Sequence, residues 1–198
     1  MGRKVGIDVD DVVAASVRVA DRDGLDSLTL TLVASELGIK TPSLYNHVDG
    51  LSGLRRLVTL HAAGVFTGIV REALDGLEGV DALRSLANAD RRFAQEHPGL
   101  YESFLPAPRP GEDDELYDAM AEPVYLIAYV LLDMGIPQSE AVHLLRALRS
   151  LLHGFLDLEA KRGFGLPVDI EGSYSAAVEL ILTGIEVAAD SRSDERQP

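Results

Sequence analysis

The sequence predicts an all-α protein, in which a three-helix helix-turn-helix domain is joined to a larger helical domain. Two observations carry this prediction. Apolar residues recur at helical spacing through nearly the whole chain. No stretch shows the alternation of apolar and polar residues that a half-buried strand requires, and short breaks containing glycine or proline separate the helical segments.

The composition narrows the class of protein. The chain has 198 residues, of which 46% are hydrophobic and 25% are charged, so it can bury a core and is too apolar for disorder. It contains no cysteine, which excludes disulfides and thiolate chemistry. We expect a cytoplasmic protein without a membrane span, because neither a signal peptide nor an apolar run of about 18 residues is recognisable.

Charge is distributed unevenly along the chain. The formal net charge is −14, yet residues 1–60 hold seven basic and eight acidic residues and are nearly neutral. An acidic surface repels nucleic acid, so only this first part of the chain is expected to tolerate contact with DNA.

The first two helices are bounded by recognisable signals. The first helix is predicted over residues 8–23 and is closed by Gly24. Thr29 is predicted to cap a second helix that runs to Leu37. Gly38 then suits the left-handed conformation that follows a last helical turn.

Thr41 is predicted to cap the third helix, with Pro42 at its first position, where the missing N–H costs nothing. This helix is expected to end near Val48. Further helices are predicted over about 51–75, 81–96, 100–104, 115–134, 138–161 and 171–189. We place the domain boundary after residue 50, so that residues 1–50 and 51–198 form the two domains and the helix over 51–75 connects them.

The second and third helices form a helix-turn-helix pattern. Leu44 and Val48 fall on the inner side, which leaves Thr41, Pro42, Ser43, Tyr45, Asn46 and His47 for the outside. Hydroxyl groups suit phosphate oxygens, and Asn46 has the chemistry to read a base edge in the major groove. Such pairs also occur as plain structure, in which Tyr45 packs on a neighbouring helix and His47 is a satisfied surface imidazole.

The segment LTLTLVASELGIKTPSLYNHVDGLSGL, residues 28–54, resembles the DNA-binding domain of the tetracycline-repressor (TetR) family of bacterial transcription regulators. The family pattern has a threonine cap, an alanine in the second helix, Leu-Gly-Val at the turn and Leu-Tyr-x-His-Phe/Val in the short third helix. The matching residues here are Thr29, Ala34, Leu37-Gly38-Ile39 and Leu44-Tyr45-Asn46-His47-Val48.

The resemblance implies a homodimer whose short helices enter successive major grooves of a palindromic operator in double-stranded DNA. A small-molecule effector in the C-terminal domain would release the DNA. The implied DNA-binding residues are Thr29, Thr31, Lys40, Thr41, Pro42, Ser43, Tyr45, Asn46, His47 and Gly50.

Two positions depart from the family pattern. Leu51 stands where a lysine is common, and Thr31 stands where a basic residue is frequent. Each lost phosphate contact lowers both the affinity for DNA and its salt dependence. Lys40 and the arm at Arg3 and Lys4 are candidates to compensate.

The C-terminal part carries a second, weaker resemblance. Residues 97–105 and 148–174 resemble a C-terminal class of the same family that is marked by a His-Gly element, here His153-Gly154. The helix over 138–161 is apolar over a wide arc, and the last helix offers small residues, which together predict a four-helix dimer interface. A monomeric core explains the same pattern. The predicted dimerisation residues are Leu148, Leu152, Phe155, Ala177, Ile181, Gly184 and Ile185.

An effector pocket is predicted inside the larger bundle. Its proposed lining is Phe93, Tyr101, Phe104, Leu105, Met120, Tyr125, Tyr129, Arg146, Arg149 and His153. Aromatic residues at helical spacing are also ordinary core. The three cations need partners, for which Glu159, Asp157, Glu122 and an anionic ligand are the candidates.

No catalytic site, metal or cofactor is expected. The histidines lack metal-ligand spacing, and no nucleophile elbow is present. The remaining rival to a DNA-binding regulator is a family member that has lost operator binding and acts as an interaction protein, a reading that the net charge and Leu51 motivate.

Overall fold

A computed structural model describes residues 6–195 of the chain, with side chains to residue 191. The described residues form nine α-helices and a short 3-10 turn and contain no β-strand, which confirms the predicted all-α class. The helices are α1 (Val9–Asp23), α2 (Leu30–Glu36), α3 (Thr41–Leu44), α4 (Gly50–Leu74), α5 (Gly79–Glu96), α6 (Pro98–Ser103), α7 (Asp114–Asp133), α8 (Gln138–Ala160) and α9 (Ile170–Glu195).

The chain clusters into two compact units. The first comprises Met1–Val65 and Glu96–Met120, and the second comprises Phe66–Gln95 and Ala121–Pro198. This division by packing differs from the domain boundary that we predicted after residue 50, because part of α4 and all of α6 belong to the first unit. The functional boundary after residue 50 stays a prediction.

In the first unit, α1 packs against α2 and α6. The start of α1 is held by a capping box: the Asp11 N–H donates to Asp8 at 2.9 Å, and the Asp8 N–H donates to Asp11 at 3.2 Å. The core of this unit is apolar and includes Val12, Ala15, Val19, Leu28, Val33, Leu44, Leu54, Val58 and Leu100.

The contact between α1 and α6 is unusually close. The Asp21 carboxylate, on α1, accepts hydrogen bonds from the backbone N–H groups of Gly99 at 2.9 Å and Leu100 at 3.3 Å. Its other oxygen lies 3.0 Å from His97 Nδ1. A Cβ atom added at Gly99 would lie 2.4 Å from the carbonyl carbon of Ala20, so only glycine fits there.

The second unit is organised around a buried arginine. Arg91, on α5, forms ion pairs with Glu159 on α8 (2.8 Å) and Glu171 on α9 (2.6 Å). Its guanidinium carbon lies 4.5 Å from the centroid of the Tyr174 ring. Arg91 therefore joins three helices. The core of the second unit is largely apolar and includes Leu83, Phe93, Leu131, Leu148, Leu152, Val178, Leu182 and Ile185.

Helix α4 is long and apolar enough to cross a membrane by length and composition alone, although the sequence showed no run that we recognised as a span. Leu54, Val58, Ala62 and Val70 are buried in this helix. Core helices of folded domains have the same composition, and the buried residues of α4 identify it as a core helix.

Candidate functional site

Helix α2 and the turn after it form as the sequence predicts. The hydroxyl of Thr29 accepts a hydrogen bond from the Leu32 N–H at 3.3 Å, which caps the helix. Gly38 has a φ of 68°, the left-handed conformation that favours glycine. The Ile39 N–H then donates to the Ala34 carbonyl at 2.9 Å, a bond that closes the helix end and directs the chain into α3.

The start of α3 differs from the prediction by one residue. Lys40 has the extended conformation of an N-cap, with φ −85° and ψ 142°, and its carbonyl accepts the Ser43 N–H at 2.9 Å. Thr41 is therefore the first helical residue and Pro42 the second, and no side chain caps the helix. The predicted Thr41 cap is wrong, because Lys40 already supplies the backbone conformation that a cap requires.

Helix α3 is also shorter than predicted. Regular α-helix ends at Leu44, not near Val48, and residues 45–47 continue as a turn. The N–H groups of His47 and Val48 both donate to the Leu44 carbonyl, at 2.8 and 3.0 Å. This shared acceptor tightens the end of the helix, and both Leu44 and Val48 are buried as the sequence predicts.

The turn and α3 present their polar side chains to solvent. Tyr45 is 61% exposed, so its ring is not packed on a neighbouring helix of this chain. Of the predicted DNA-binding residues, the exposed ones are Thr29, Thr31, Lys40, Pro42, Ser43, Tyr45 and Asn46, and the half-exposed ones are Thr41, His47 and Gly50. None of the ten is buried, as contact with DNA requires.

Most of the cations near this surface are already paired with acids. Glu36, on α2, accepts from Arg18 at 2.9 Å and from Arg22 at 3.0 Å, and these hydrogen bonds lower the pKa of its carboxyl group. Arg22 also bonds Asp23. In the described part of the first unit, Lys40 makes no ion pair. The predicted arm at Arg3 and Lys4 lies outside the described residues.

Arg56, one turn into α4, is engaged with the start of α7. Its guanidinium bonds Asp113 through two nitrogens and Glu115 at 2.6 Å. The hydrogen bond from Arg56 lowers the pKa of Asp113. Leu51, the position of the missing lysine, is about one-third exposed and brings no charge.

The predicted effector-lining residues are divided between the two units, and their common site stays a prediction. Tyr101, Phe104, Leu105 and Met120 belong to the first unit, and the other six belong to the second. Phe93, Phe104 and Met120 are buried, whereas Tyr125, Tyr129, Arg146 and Arg149 are exposed and His153 is half-buried. Tyr125 and Tyr129 lie one turn apart on an outward face of α7. Helical spacing shows that two residues share a face, but it does not show whether that face is buried.

The acids predicted to neutralise Arg146, Arg149 and His153 are paired elsewhere. Glu159 binds Arg91, Asp157 binds Lys161 at 2.6 Å, and Glu122 binds Arg71. Each of these acids thus has another cation as a partner, and its pairing with Arg146, Arg149 or His153, like the alternative of an anionic ligand, stays a prediction.

The predicted dimerisation residues fall into two groups. Leu148, Leu152 and Ile185 are buried within the single chain, so they belong to the core of the second unit. Phe155 is half-buried, with its ring 5.2 Å from that of Tyr174. Gly184 is exposed, and Ala177 and Ile181 are half-exposed. The exposed apolar residues of α8 and α9 are instead Val142, Leu158, Leu180 and Val187.

The sequence analysis missed a buried acid in the second unit. Asp90 lies on α5 and is 7% exposed. A signal for it was present, because Leu83, Leu86, Asp90 and Phe93 follow one another at helical spacing and the acid interrupts an otherwise apolar stripe.

Comparisons with known proteins agree with this architecture. Residues 83–181 match a family model described as "Tetracyclin repressor-like, C-terminal domain". The chain is 31% identical over 186 residues to the uncharacterized HTH-type transcriptional regulator YobS of Bacillus subtilis, covering 93% of this chain and 96% of the relative. It is 32% identical over 186 residues to the uncharacterized HTH-type transcriptional regulator Rv0681 of Mycobacterium tuberculosis, covering 94% and 85%.

Among solved structures, the chain is similar to the Streptomyces coelicolor protein ActR in complex with (S)-DNPA. The TM-score is 0.64 at 18% identity, with 93% of this chain and 100% of ActR covered. At this identity the likeness concerns the fold. Both sequence relatives are named as transcriptional regulators, and neither is named as an enzyme.

Proposed function

Because the chain belongs to the TetR family of transcriptional regulators, we propose that it is a homodimeric repressor that binds a palindromic operator through α3 and is released by a small-molecule effector. The observation that carries the proposal is the exposed polar surface of α3 and its following turn, held in place by the buried Leu44 and Val48. The repressor acts in the cytoplasm, where it meets its operator.

The roles of the side chains follow from their chemistry. Thr29, Thr31 and Ser43 offer hydroxyl groups to phosphate oxygens, and Lys40 offers the charge. Asn46 has the chemistry to read a base edge in the major groove, and the hydroxyl of Tyr45 suits a phosphate oxygen. Because Arg18, Arg22 and Arg56 are neutralised by acids, we expect an affinity for DNA that depends less on salt than in a strongly basic domain.

The operator is sought in the DNA upstream of the gene itself, by mobility shift over a range of salt concentrations. A sequence-selective shift that persists at low salt supports the repressor. The rival function, an interaction protein without operator binding, is favoured by the paired arginines and by Leu51. A folded dimer that shows no selective shift even at low salt would establish that rival and remove the proposal.

Replacing Tyr45 by alanine is expected to weaken operator binding about tenfold or more, corresponding to roughly 1.4 kcal/mol, because the exposed ring and hydroxyl contact DNA. The melting temperature should change little. Fluorescence anisotropy with labelled operator and thermal unfolding measure the two quantities. Leu44→Ala is the matched control at the neighbouring, buried position, and should lose about 2–4 kcal/mol of stability. A large loss of stability in Tyr45→Ala would show that Tyr45 belongs to the core.

The dimer face is proposed on the outer sides of α8 and α9. On α9, Leu180 (75% exposed), Gly184 and Val187 (59% exposed) lie one turn apart on a single face. On α8, Leu151, Gly154 and Leu158 also lie one turn apart on a single face. A Cβ added at Gly154 or Gly184 would meet no atom within 4 Å, so packing within the single chain does not require glycine at either position. Close approach of a partner helix accounts for both the glycines and the exposed apolar residues.

Gly184→Leu is expected to shift the dimer towards monomer, raising its dissociation constant about tenfold or more, because the added side chain occupies the space of the partner helix. Sedimentation velocity over a range of concentrations measures this. Glu186→Leu introduces the same side chain at an exposed position on the other side of α9 and should leave the dimer intact. A dimer equally stable in both variants would place the interface elsewhere.

The effector site is proposed in the second unit, around the residues of α5, α8 and α9. Support comes from ActR, a family member whose solved complex holds (S)-DNPA, and from the buried polar groups of this unit. Phe93, Arg149 and His153 remain proposed contributors. The outward-facing Tyr125 and Tyr129 are weaker candidates.

A further inference from the structure

Asp90 is an acid in a position that packing would assign to an apolar residue. It follows Leu83 and Leu86 and precedes Phe93 along one inward face of α5, and each of these three neighbours is at most 2% exposed. Asp90 itself is 7% exposed. A buried carboxylate destabilises a fold unless hydrogen bonds or an opposite charge compensate it, so its presence in this stripe requires an explanation.

Hydrogen bonds do not compensate it: within the described residues, none to the Asp90 carboxyl group is present, and the positive charge of Arg149 offsets its burial only in part. The Tyr174 hydroxyl, which is close by, donates instead to the Ala87 carbonyl at 2.6 Å. Arg91, the next residue, is turned towards Glu159 and Glu171. Both carboxyl oxygens of Asp90 therefore keep their capacity to accept hydrogen bonds.

The electrostatics agree with this geometry. Burial raises the pKa of Asp90 to about 7, and the positive charge of Arg149 on α8 opposes the rise. Burial raises the pKa of Tyr174 on α9, and the negative charge of Asp90 adds to the effect. Asp90 thus lies between α8 and α9, and near neutral pH it exchanges between a neutral and a negative form.

Aromatic residues lie on the same helix as Asp90 and on the helices packed with it. Phe93 lies one turn after Asp90 on α5, with its ring 5.6 Å from that of Phe66. Tyr174 is in edge contact with Phe155 at 5.2 Å. An unpaired acceptor beside aromatic rings is the chemistry that recognises an organic cation, since the carboxylate neutralises the charge and the rings cover the apolar body.

We infer that Asp90 anchors the effector, and that the effector carries a protonated amine on an apolar, ring-containing body. The inference rests on the proposed function as an effector-controlled regulator, and it adds the chemical class of the ligand and the residue that selects it. A carboxyl group that serves the core alone would show no selectivity for ligand charge.

The test uses three probes that share one ring system and differ in charge: 1-naphthylmethylammonium, 1-naphthylmethanol and 1-naphthoate. Calorimetric titration of the full-length protein should show the cation binding about tenfold or more tightly than the alcohol or the carboxylate. Asp90→Asn should abolish this preference, because the amide keeps the size of the side chain and loses its charge. Asp133→Asn removes an exposed acid of the same unit and should leave the preference unchanged.

A second measurement needs no variant. Binding of the cation favours the charged form of Asp90 and lowers its pKa, so wild-type protein at pH 7 should release roughly half a proton per cation bound. Titrations in buffers of different ionisation enthalpy measure this release. The charged and titratable groups that face Asp90 are Arg149, Arg91 and Tyr174. Absence of proton release, equal affinity for the three probes, no measurable binding of the cation, or a preference that survives Asp90→Asn would each overturn the inference.

The outcome is separable from that of the proposed function. A chain that selects the cation through Asp90 but shifts no DNA would refute operator binding and leave the ligand chemistry standing. A chain that shifts operator DNA selectively and shows no preference among the probes would refute the inference alone.

Discussion

Gly99→Ala is expected to destabilise the first unit by about 3 kcal/mol or more, because the added methyl group would collide with backbone. The nearest atoms are the carbonyl carbon of Ala20 at 2.4 Å and the Ala20 oxygen at 2.6 Å, neither of which can rotate away. Relief requires α6 to move from α1, which would break the hydrogen bonds from Gly99 and Leu100 to Asp21. Urea unfolding followed by circular dichroism measures the change in free energy.

Gly64→Ala is the matched control in the same unit. Gly64 lies inside α4, and a Cβ added there would meet no atom within 4 Å. Alanine should stabilise this helix by up to about 1 kcal/mol, because it restricts the unfolded chain more than glycine does. The two glycine-to-alanine changes should thus have opposite signs. Equal stability of Gly99→Ala and wild type would mean that α1 and α6 separate without cost.

Arg91→Met should cost the second unit about 2–4 kcal/mol, since it removes the cation that holds two carboxylates between three helices. The Arg91 side chain is 9% exposed, and Glu159, which it bonds through two nitrogens, is also largely sheltered. Without Arg91, Glu159 keeps, among the described side chains, only the hydrogen bond from Gln95 at 3.3 Å. The expected loss of stability is smaller than for a fully buried ion pair, because the Glu171 side chain is mostly exposed to solvent.

The control for this effect is on the same helix. Arg84 also binds two acids, Asp81 and Glu179, but all three side chains are exposed, so Arg84→Met should cost less than about 1 kcal/mol. Combining Arg91→Met with Glu159→Gln should restore part of the lost stability, with a coupling energy above about 1 kcal/mol. Additive losses would show that Arg91 acts through its contact with the Tyr174 ring or through packing alone.

The helices were predictable because their signals are local. Thr29 caps α2 through a residue three positions away, and Gly38 closes it through bonds within five residues. The exposure of Tyr45 and the burial of Leu44 and Val48 followed from the same short-range pattern. The N-cap of α3 is Lys40 and not Thr41, so the prediction was wrong by one residue at the start of this helix.

Pairings between helices were not predictable in the same way. The sequence shows which acids and cations exist, but Arg91 meets Glu159 and Glu171 across separations of 68 and 80 residues. Tyr125 and Tyr129 have the helical spacing of core residues and face outward, because the side of α7 that is covered depends on its neighbours. Leu148, Leu152 and Ile185 fill the core of one chain where the pattern equally suited a dimer face.

By itself, therefore, the sequence determined the all-α class, the approximate position of each helix and the exposure of the polar side chains in α3 and the turn after it, since capping, turn formation and helical periodicity act over a few residues. Only the tertiary structure decided which face of each helix is buried, which charges are paired and that, within the described residues, the buried Asp90 accepts no hydrogen bond. Those outcomes depend on contacts between residues far apart in the chain. Whether a charge or polar group stabilises the fold depends on how much water the packing leaves around it.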